Sequence, residues 1–261
     1  MSARLDAAYV AQVKALRERL RRFVTERFGA GGVSDAELER YVAQVVPVVL
    51  AGRRQVSALT DAWLTQTLRE LGLNVRPAGP IDTDSLRGVD ARDVYARPFV
   101  EARTALSQGA AFEAAMAAGV ARVASIVVTD AQMAKVRTVA RILAGTPVVG
   151  FKRTLTGSET CGMCRVASTQ VYRKADLMPI HPGCDCGVDP LLPGDWDQAE
   201  ADAQLAATHD AIQERFGAST PDARKALDYR KALLVEEHGE IGPVLTVKSH
   251  RFTSKADIPA L

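Results

Sequence analysis

Apolar residues at Leu5, Tyr9, Val13, Leu16, Leu20, Phe23 and Phe28 recur every three to four positions, the spacing of one face of an α-helix. Gly29-Ala30-Gly31-Gly32 ends that stripe. Ser34 followed three residues later by Glu37 has the form of a capping box. It opens a second stripe through Leu38, Tyr41, Val42, Val45, Val49, Val56, Leu59, Trp63, Leu64 and Leu68, which Pro47 should kink or divide. Gly72 to Gly88, with Pro77, Gly79 and Pro80, reads as a connecting loop, and Asp90 to Leu106 and Ala111 to Leu143 are the next helices, closed by Gly145-Thr146-Pro147.

The character changes at Pro147. Val148 to Leu155 and Thr169 to Arg173 are short β-type runs. Asp195 can then cap a helix reaching about Phe216, and Ser219-Thr220-Pro221-Asp222 starts another that ends near Glu237. Gly239 to Leu261 carries no helical stripe and reads as an extended tail that needs a partner surface to become ordered. The expected fold is therefore mainly α, and α+β overall. Its segments are an extended helical domain (1–146), a small β-rich Cys/His module (147–193), C-terminal helices (194–238) and the extended tail (239–261). The stripes Leu38 to Leu71 and Ala111 to Leu143 each predict a helix of about 50 Å at 1.5 Å per residue. Helices that long leave a flank for a second protein or a second copy of the chain.

Composition narrows the class. Of the 261 residues 47% are hydrophobic and 25% charged, ordinary globular values that exclude wholesale disorder. Aromatics make up only 5%, so the interior should be built from Ala, Val and Leu. The best apolar stretch, Val42 to Gly52, is eleven residues and contains Gln44 and Pro47, too short to span a bilayer. The first residues turn amphipathic and basic at once, without the apolar core of a secretory signal. The expectation is a soluble protein with no membrane partner, made in a cytoplasm. Net charge is +2, divided as 20 basic and 15 acidic residues in 1–150 against 13 and 16 in 151–261. That balance alone does not identify a nucleic-acid binder. Lys14, Arg17, Arg19, Arg21 and Arg22 do form a basic surface on the first helix that could meet phosphates without base specificity.

All four cysteines fall in one 26-residue window: Cys161-Gly-Met-Cys164, then His181-Pro-Gly-Cys184-Asp-Cys186. A Cys-x-x-Cys turn offers two thiolates about as far apart as two vertices of a tetrahedron around zinc, and a second short-spaced pair can supply the rest. Five candidates, Cys161, Cys164, His181, Cys184 and Cys186, compete for four positions. The second half can be His181 with Cys184, Cys184 with Cys186, or His181 with Cys186. Cytoplasmic folding argues against disulfides, and so many ligands packed together predict a closed, structural zinc site. A hydrolytic centre would need a nucleophile, a base and an orienting group. Ser168 and His181 are the only such pair within one module, and both have simpler roles as a loop hydroxyl and a metal or turn residue. No Gly-x-Ser-x-Gly elbow or His-Glu-x-x-His helix occurs, and His209, His238 and His250 stand alone, so no catalytic residue is assigned.

The strings Cys161 to Tyr172 and Leu177 to Cys186 resemble the C-terminal signature of the phage Mu F-like minor head proteins, in particular their actinobacterial-phage branch. His238-Gly-Glu-Ile-Gly-Pro-Val-Leu245 is similar to the stretch just after that module in those phages. The resemblance covers residues 147 to 193 and 238 to 245, and residues 1 to 146 fit by length and helical character. It implies a virion component inside the phage head near the portal, with the portal protein as main partner. The major capsid protein is a further expected partner, and the basic first helix and the long stripes add phage DNA and a second copy of the chain to the expected partners. Many relatives in that branch carry the label capsid maturation protease, which makes cleavage of head proteins the alternative activity.

Overall fold

The structure, a computed structural model, describes residues 3–156, 162–216 and 233–247. The element order is α1 (Ala3–Gly29), α2 (Asp35–Glu70), α3 (Ala91–Ser107), α4 (Phe112–Ala144), β1 (Gly150–Thr154), α5 (Gly162–Ser168), β2 (Val171–Arg173), β3 (Gly187–Leu191), α6 (Gln198–Phe216), β4 (Leu233–His238) and β5 (Gly242–Val247). The described chain is mainly α with small antiparallel sheets, as the periodicity predicts. It divides into two compact units between Thr138 and Val139, within α4.

In the first unit, the buried stripe of α1 is Tyr9, Leu16, Leu20, Val24 and Phe28. Val24 takes the inward place expected of Phe23, whose half-buried ring lies under Arg27 at 5.5 Å. Tyr9 stacks on Trp63 of α2 at 4.4 Å, and Trp63 donates its indole N–H to Asp6 at 2.8 Å. Ser34 caps α2 by accepting from the Glu37 N–H at 3.2 Å, while the Glu37 carboxylate pairs with Arg40 at 3.0 Å. Pro47 does not divide α2, which continues through it from Asp35 to Glu70. A proline removes one backbone hydrogen bond and crowds the preceding turn. Here Tyr41, Val42 and Val45 before it and Val49, Arg53 and Val56 after it are all buried, and that packing holds the helix together.

The unit is closed by a buried charge cluster. The Asp130 carboxylate of α4 accepts from Arg53 of α2 through Nε at 3.1 Å and through a terminal nitrogen, from Arg87 Nε at 2.6 Å, and from the Tyr95 hydroxyl of α3 at 2.8 Å. Arg53 also donates to the Thr83 carbonyl at 3.2 Å. Among the described residues α4 alone is long and apolar enough to cross a membrane. Its stretch from Thr129 to Val136 is buried on every side and holds Asp130 in this cluster, the pattern of a helix inside a folded chain.

In the second unit β1 is the centre of a three-stranded antiparallel sheet, order β2-β1-β3. Phe151 sits opposite Tyr172 on β2, their rings stacked at 5.3 Å, and Arg153 sits opposite Val188 on β3. Pro190 is tolerated because β3 lies at the sheet edge. Asp197, and not Asp195, caps α6, accepting from Ala199 N at 2.8 Å; Asp195 instead accepts from Leu192 N.

The C-terminal segment differs from its expectation. Residues 233–238, expected as the end of a helix, are strand β4, and the start of the expected tail is strand β5, its antiparallel partner. The run Leu233-Leu234-Val235 suits a strand, and Gly242, with φ +84°, closes the turn. β5 also pairs with the chain segment before His181: Ile180 N donates to the Pro243 carbonyl at 3.1 Å and Leu245 N to the Ile180 carbonyl at 2.8 Å. The surface that orders this part of the tail is thus the chain's own. The helix expected from Ser219 falls largely on residues 217–232, outside the described residues, as do residues 248–261.

Candidate metal centre

Three short pieces of chain build the centre. Cys164 lies in the first turn of α5, which follows β1 in the chain. His181-Pro182-Gly183-Cys184 is a tight turn: the His181 carbonyl accepts from Cys184 N at 2.9 Å and Gly183 has φ +80°. Proline and then a glycine of positive φ is the sequence a type II turn demands, so the local sequence dictates this bend. Two residues on, Cys186 leads directly into β3. Thr156, just past β1, fastens the turn by donating to the Asp185 carbonyl at 2.7 Å.

The thiols of Cys164, Cys184 and Cys186 are buried, and their sulfurs all lie within 4.8 Å of one another, close enough to hold a metal ion. His181, 2% exposed, brings Nε2 to 3.0 Å from the Cys164 sulfur. Its Nδ1 donates to the Pro182 carbonyl at 2.9 Å. That bond keeps a proton on Nδ1, so in the neutral ring the Nε2 lone pair faces the thiols.

Arg153 completes the surroundings. It is 2% exposed, and a terminal nitrogen donates toward Cys184 Sγ at 3.4 Å and Cys164 Sγ at 3.8 Å, while the other donates to the Pro179 carbonyl. Hydrogen bonds from the Cys164 and Cys186 thiols hold the Cys184 thiol well below the usual range, and Arg153 and His181 act in the same direction against burial. Cys186 is pushed up to about 12: its bond with Cys164 favours the thiolate, but its bond to Cys184, burial and the Cys184 charge outweigh it.

Of the five residues singled out by spacing, Cys164, Cys184 and Cys186 converge, His181 joins them through Cys164, and Cys161 lies outside the described residues. Ser168 is not paired with His181; its hydroxyl donates to the Arg165 carbonyl at 2.6 Å. His238 accepts from Glu240 N in the hairpin turn at 3.2 Å. On α1, Lys14, Arg19 and Arg22 are exposed, Arg17 and Arg21 half-buried, and Arg21 is held by Glu18 through two bonds of 2.6 and 2.8 Å. Spacing of cysteines could not point to Arg153. The signal was in strand alternation, since Arg153 shares the inward face of β1 with Phe151. No protein-family model, curated protein or solved structure matches this chain.

Proposed function

We propose that Cys164, Cys184, Cys186 and His181 hold one Zn²⁺ as a closed structural site. We further propose that the chain is a structural minor head protein of a tailed phage, bound at the portal or inner capsid and serving head assembly or DNA packaging and ejection. The observation that carries the metal reading is the convergence of three buried thiols with an imidazole whose Nε2 is turned toward them. Soft thiolates with one imidazole, four donors in all, suit tetrahedral zinc. Zinc there would supply cross-linking free energy to a module with little core of its own.

The phage reading rests on the resemblance of residues 147–193 and 238–245. Its support is that these two strings, far apart in sequence, meet: Ile180 in the first is hydrogen-bonded to Pro243 and Leu245 in the second. A motif spread over both is then one folded object. The long helices α2 and α4 are the candidate surfaces for the portal or for self-association, and the exposed Lys14, Arg19 and Arg22 are the candidate contacts for packaged DNA.

Protein purified from zinc-supplied cells under reducing conditions should hold about one equivalent of zinc; less than about 0.2 of any transition metal refutes the metal reading. Co-expression with the portal protein of the same phage should give co-elution on size-exclusion chromatography. Loss of that co-elution on removing residues 1–145 places the contact on the helices, and its survival places it elsewhere. Absence of co-elution with the full chain refutes portal binding.

A further inference from the structure

We infer that Arg153 is the charge-balancing residue of this centre, giving N–H···S bonds to two of its ligands and making it a neutral Cys₃His unit. The inference rests on the zinc reading and specifies its ligand set and its surroundings.

A buried guanidinium needs a negative partner or it destabilises the fold. Among the described residues no carboxylate pairs with Arg153. Its partners are the sulfurs of Cys164 and Cys184, the Pro179 carbonyl and the Tyr172 hydroxyl. Neutral thiols would leave its charge uncompensated, and without a metal only the Cys184 thiolate, whose pKa is lowered, answers it. Three thiolates around a dication carry a net charge of minus one, a neutral imidazole adds nothing, and Arg153 brings the total to zero. Four thiolates would leave one buried negative charge even with Arg153 present. The charge count therefore favours His181 over Cys161 as the fourth ligand, and the Nδ1–H bond to the Pro182 carbonyl already orients His181 for that role.

The two N–H···S contacts have a second consequence. A hydrogen bond to a metal-bound sulfur withdraws electron density from it, lowering its reactivity toward electrophiles and oxidants. Arg153 acts on the metal through the cysteines, so it is a positioning and tuning residue and not a ligand. Partners of this kind are worth about 10- to 100-fold in metal affinity.

The test uses the full chain loaded with zinc, and then with cobalt, whose sulfur-to-metal charge-transfer band reports on thiolate ligands. Arg153→Met should weaken zinc binding about 10- to 100-fold in competition with a chromophoric chelator. It should also speed alkylation of the bound cysteines and shift the cobalt band, while Arg153→Lys, which keeps the charge, should recover part of the affinity. The band shift is the readout that mere packing would not move. Equal affinity and an unshifted band in Arg153→Met overturn the inference. Should that variant not fold, Arg153→Lys carries the test, because losing the forked donor must still shift the band, and an unchanged band overturns it. For the ligand set, Cys161→Ser should keep one tightly bound zinc and His181→Ala should not; the reverse result overturns the Cys₃His assignment. If the wild-type chain binds no metal, the zinc reading itself fails and this inference falls with it. If it binds zinc and only the Arg153 and His181 results go the other way, zinc stands and the inference alone fails.

Discussion

Substituting Asp130 by Asn removes the carboxylate from the buried cluster of the first unit while keeping its shape. Asp130 is 1% exposed and receives Arg53, Arg87 and Tyr95, themselves buried. After the change two guanidinium groups face an amide, and one of the former acceptor positions becomes an N–H₂ group that cannot accept. Breaking a buried ion pair from one side typically destabilises by about 3–5 kcal/mol, because the stranded charge stays out of water. Whole domains are stable by only about 5–15 kcal/mol, so Asp130→Asn should bring the first unit near its unfolding threshold. Urea titration read by Trp63 fluorescence, in a Trp196→Phe background so that a single indole reports, isolates this unit. The indole is 8% exposed and stacked on Tyr9, so its emission should shift on unfolding. Replacing Arg53, Arg87 and Asp130 together by Met, Met and Leu should recover much of the loss, since an apolar cluster leaves no orphaned charge. A loss below about 1 kcal/mol for Asp130→Asn alone, the range of an exposed pair, would refute the argument that this charge is buried and structurally required.

Packing, titration and the C-terminal hairpin each give a further expected outcome. Gly119→Ala should destabilise the first unit by about 1–3 kcal/mol, since a Cβ there would lie 2.3 Å from Phe28 Cζ, whereas Gly29→Ala, with open space around it, should be neutral or slightly stabilising in the same urea assay. Burial holds the Tyr9, Tyr41 and Tyr95 hydroxyls above the ordinary tyrosine range. The folded chain therefore keeps protons that the unfolded chain releases above about pH 10, so stability should be full below that pH and fall as pH rises beyond it. Urea midpoints at pH 8.5 and pH 11 check this, and a Tyr41→Phe variant that lost stability just as steeply would contradict it. Finally, a chain ending at residue 232 lacks the strand that pairs with Ile180. It should keep its helical circular dichroism but lose metal to a chelator about 10-fold faster or more, as expected for two backbone hydrogen bonds; an unchanged rate would show that the hairpin does not guard the centre.

The helices are legible in the sequence because their stripes are long. Over 36 residues of α2 the buried face repeats often enough that neither Pro47 nor the small aromatic content obscures it. Features decided by distant residues are not legible in this way. Nothing local marks Arg53, Arg87 and Asp130 as interior, since charged residues are ordinarily solvated, and only their mutual pairing across α2, α4 and the segment before α3 makes burial tolerable. The periodicity of α1 points one residue off at its end because Phe23 is the more hydrophobic of the pair Phe23 and Val24, while packing against α2 selects Val24. In the second unit the cysteine spacing marks the centre, and the His-Pro-Gly-Cys turn is local enough to be read by eye. β3 is hidden because Pro190 argues against a strand unless the strand is known to lie at an edge. The strands of the hairpin are hidden because isolated six-residue runs carry no clear period.

The pairing of Ile180 with Pro243 and Leu245 also sets an order of events during synthesis. Cys164, His181, Cys184 and Cys186 leave the ribosome within a short interval. The strand that covers the neighbouring backbone is made some sixty residues afterwards. Until it arrives, the N–H and C=O of Ile180 are open to water and the His181 turn is held on one side only. If the centre holds zinc as proposed, a nascent chain of this kind takes up or exchanges the ion most readily while the centre is half-walled, and exchange slows once the C-terminal hairpin pairs beside it.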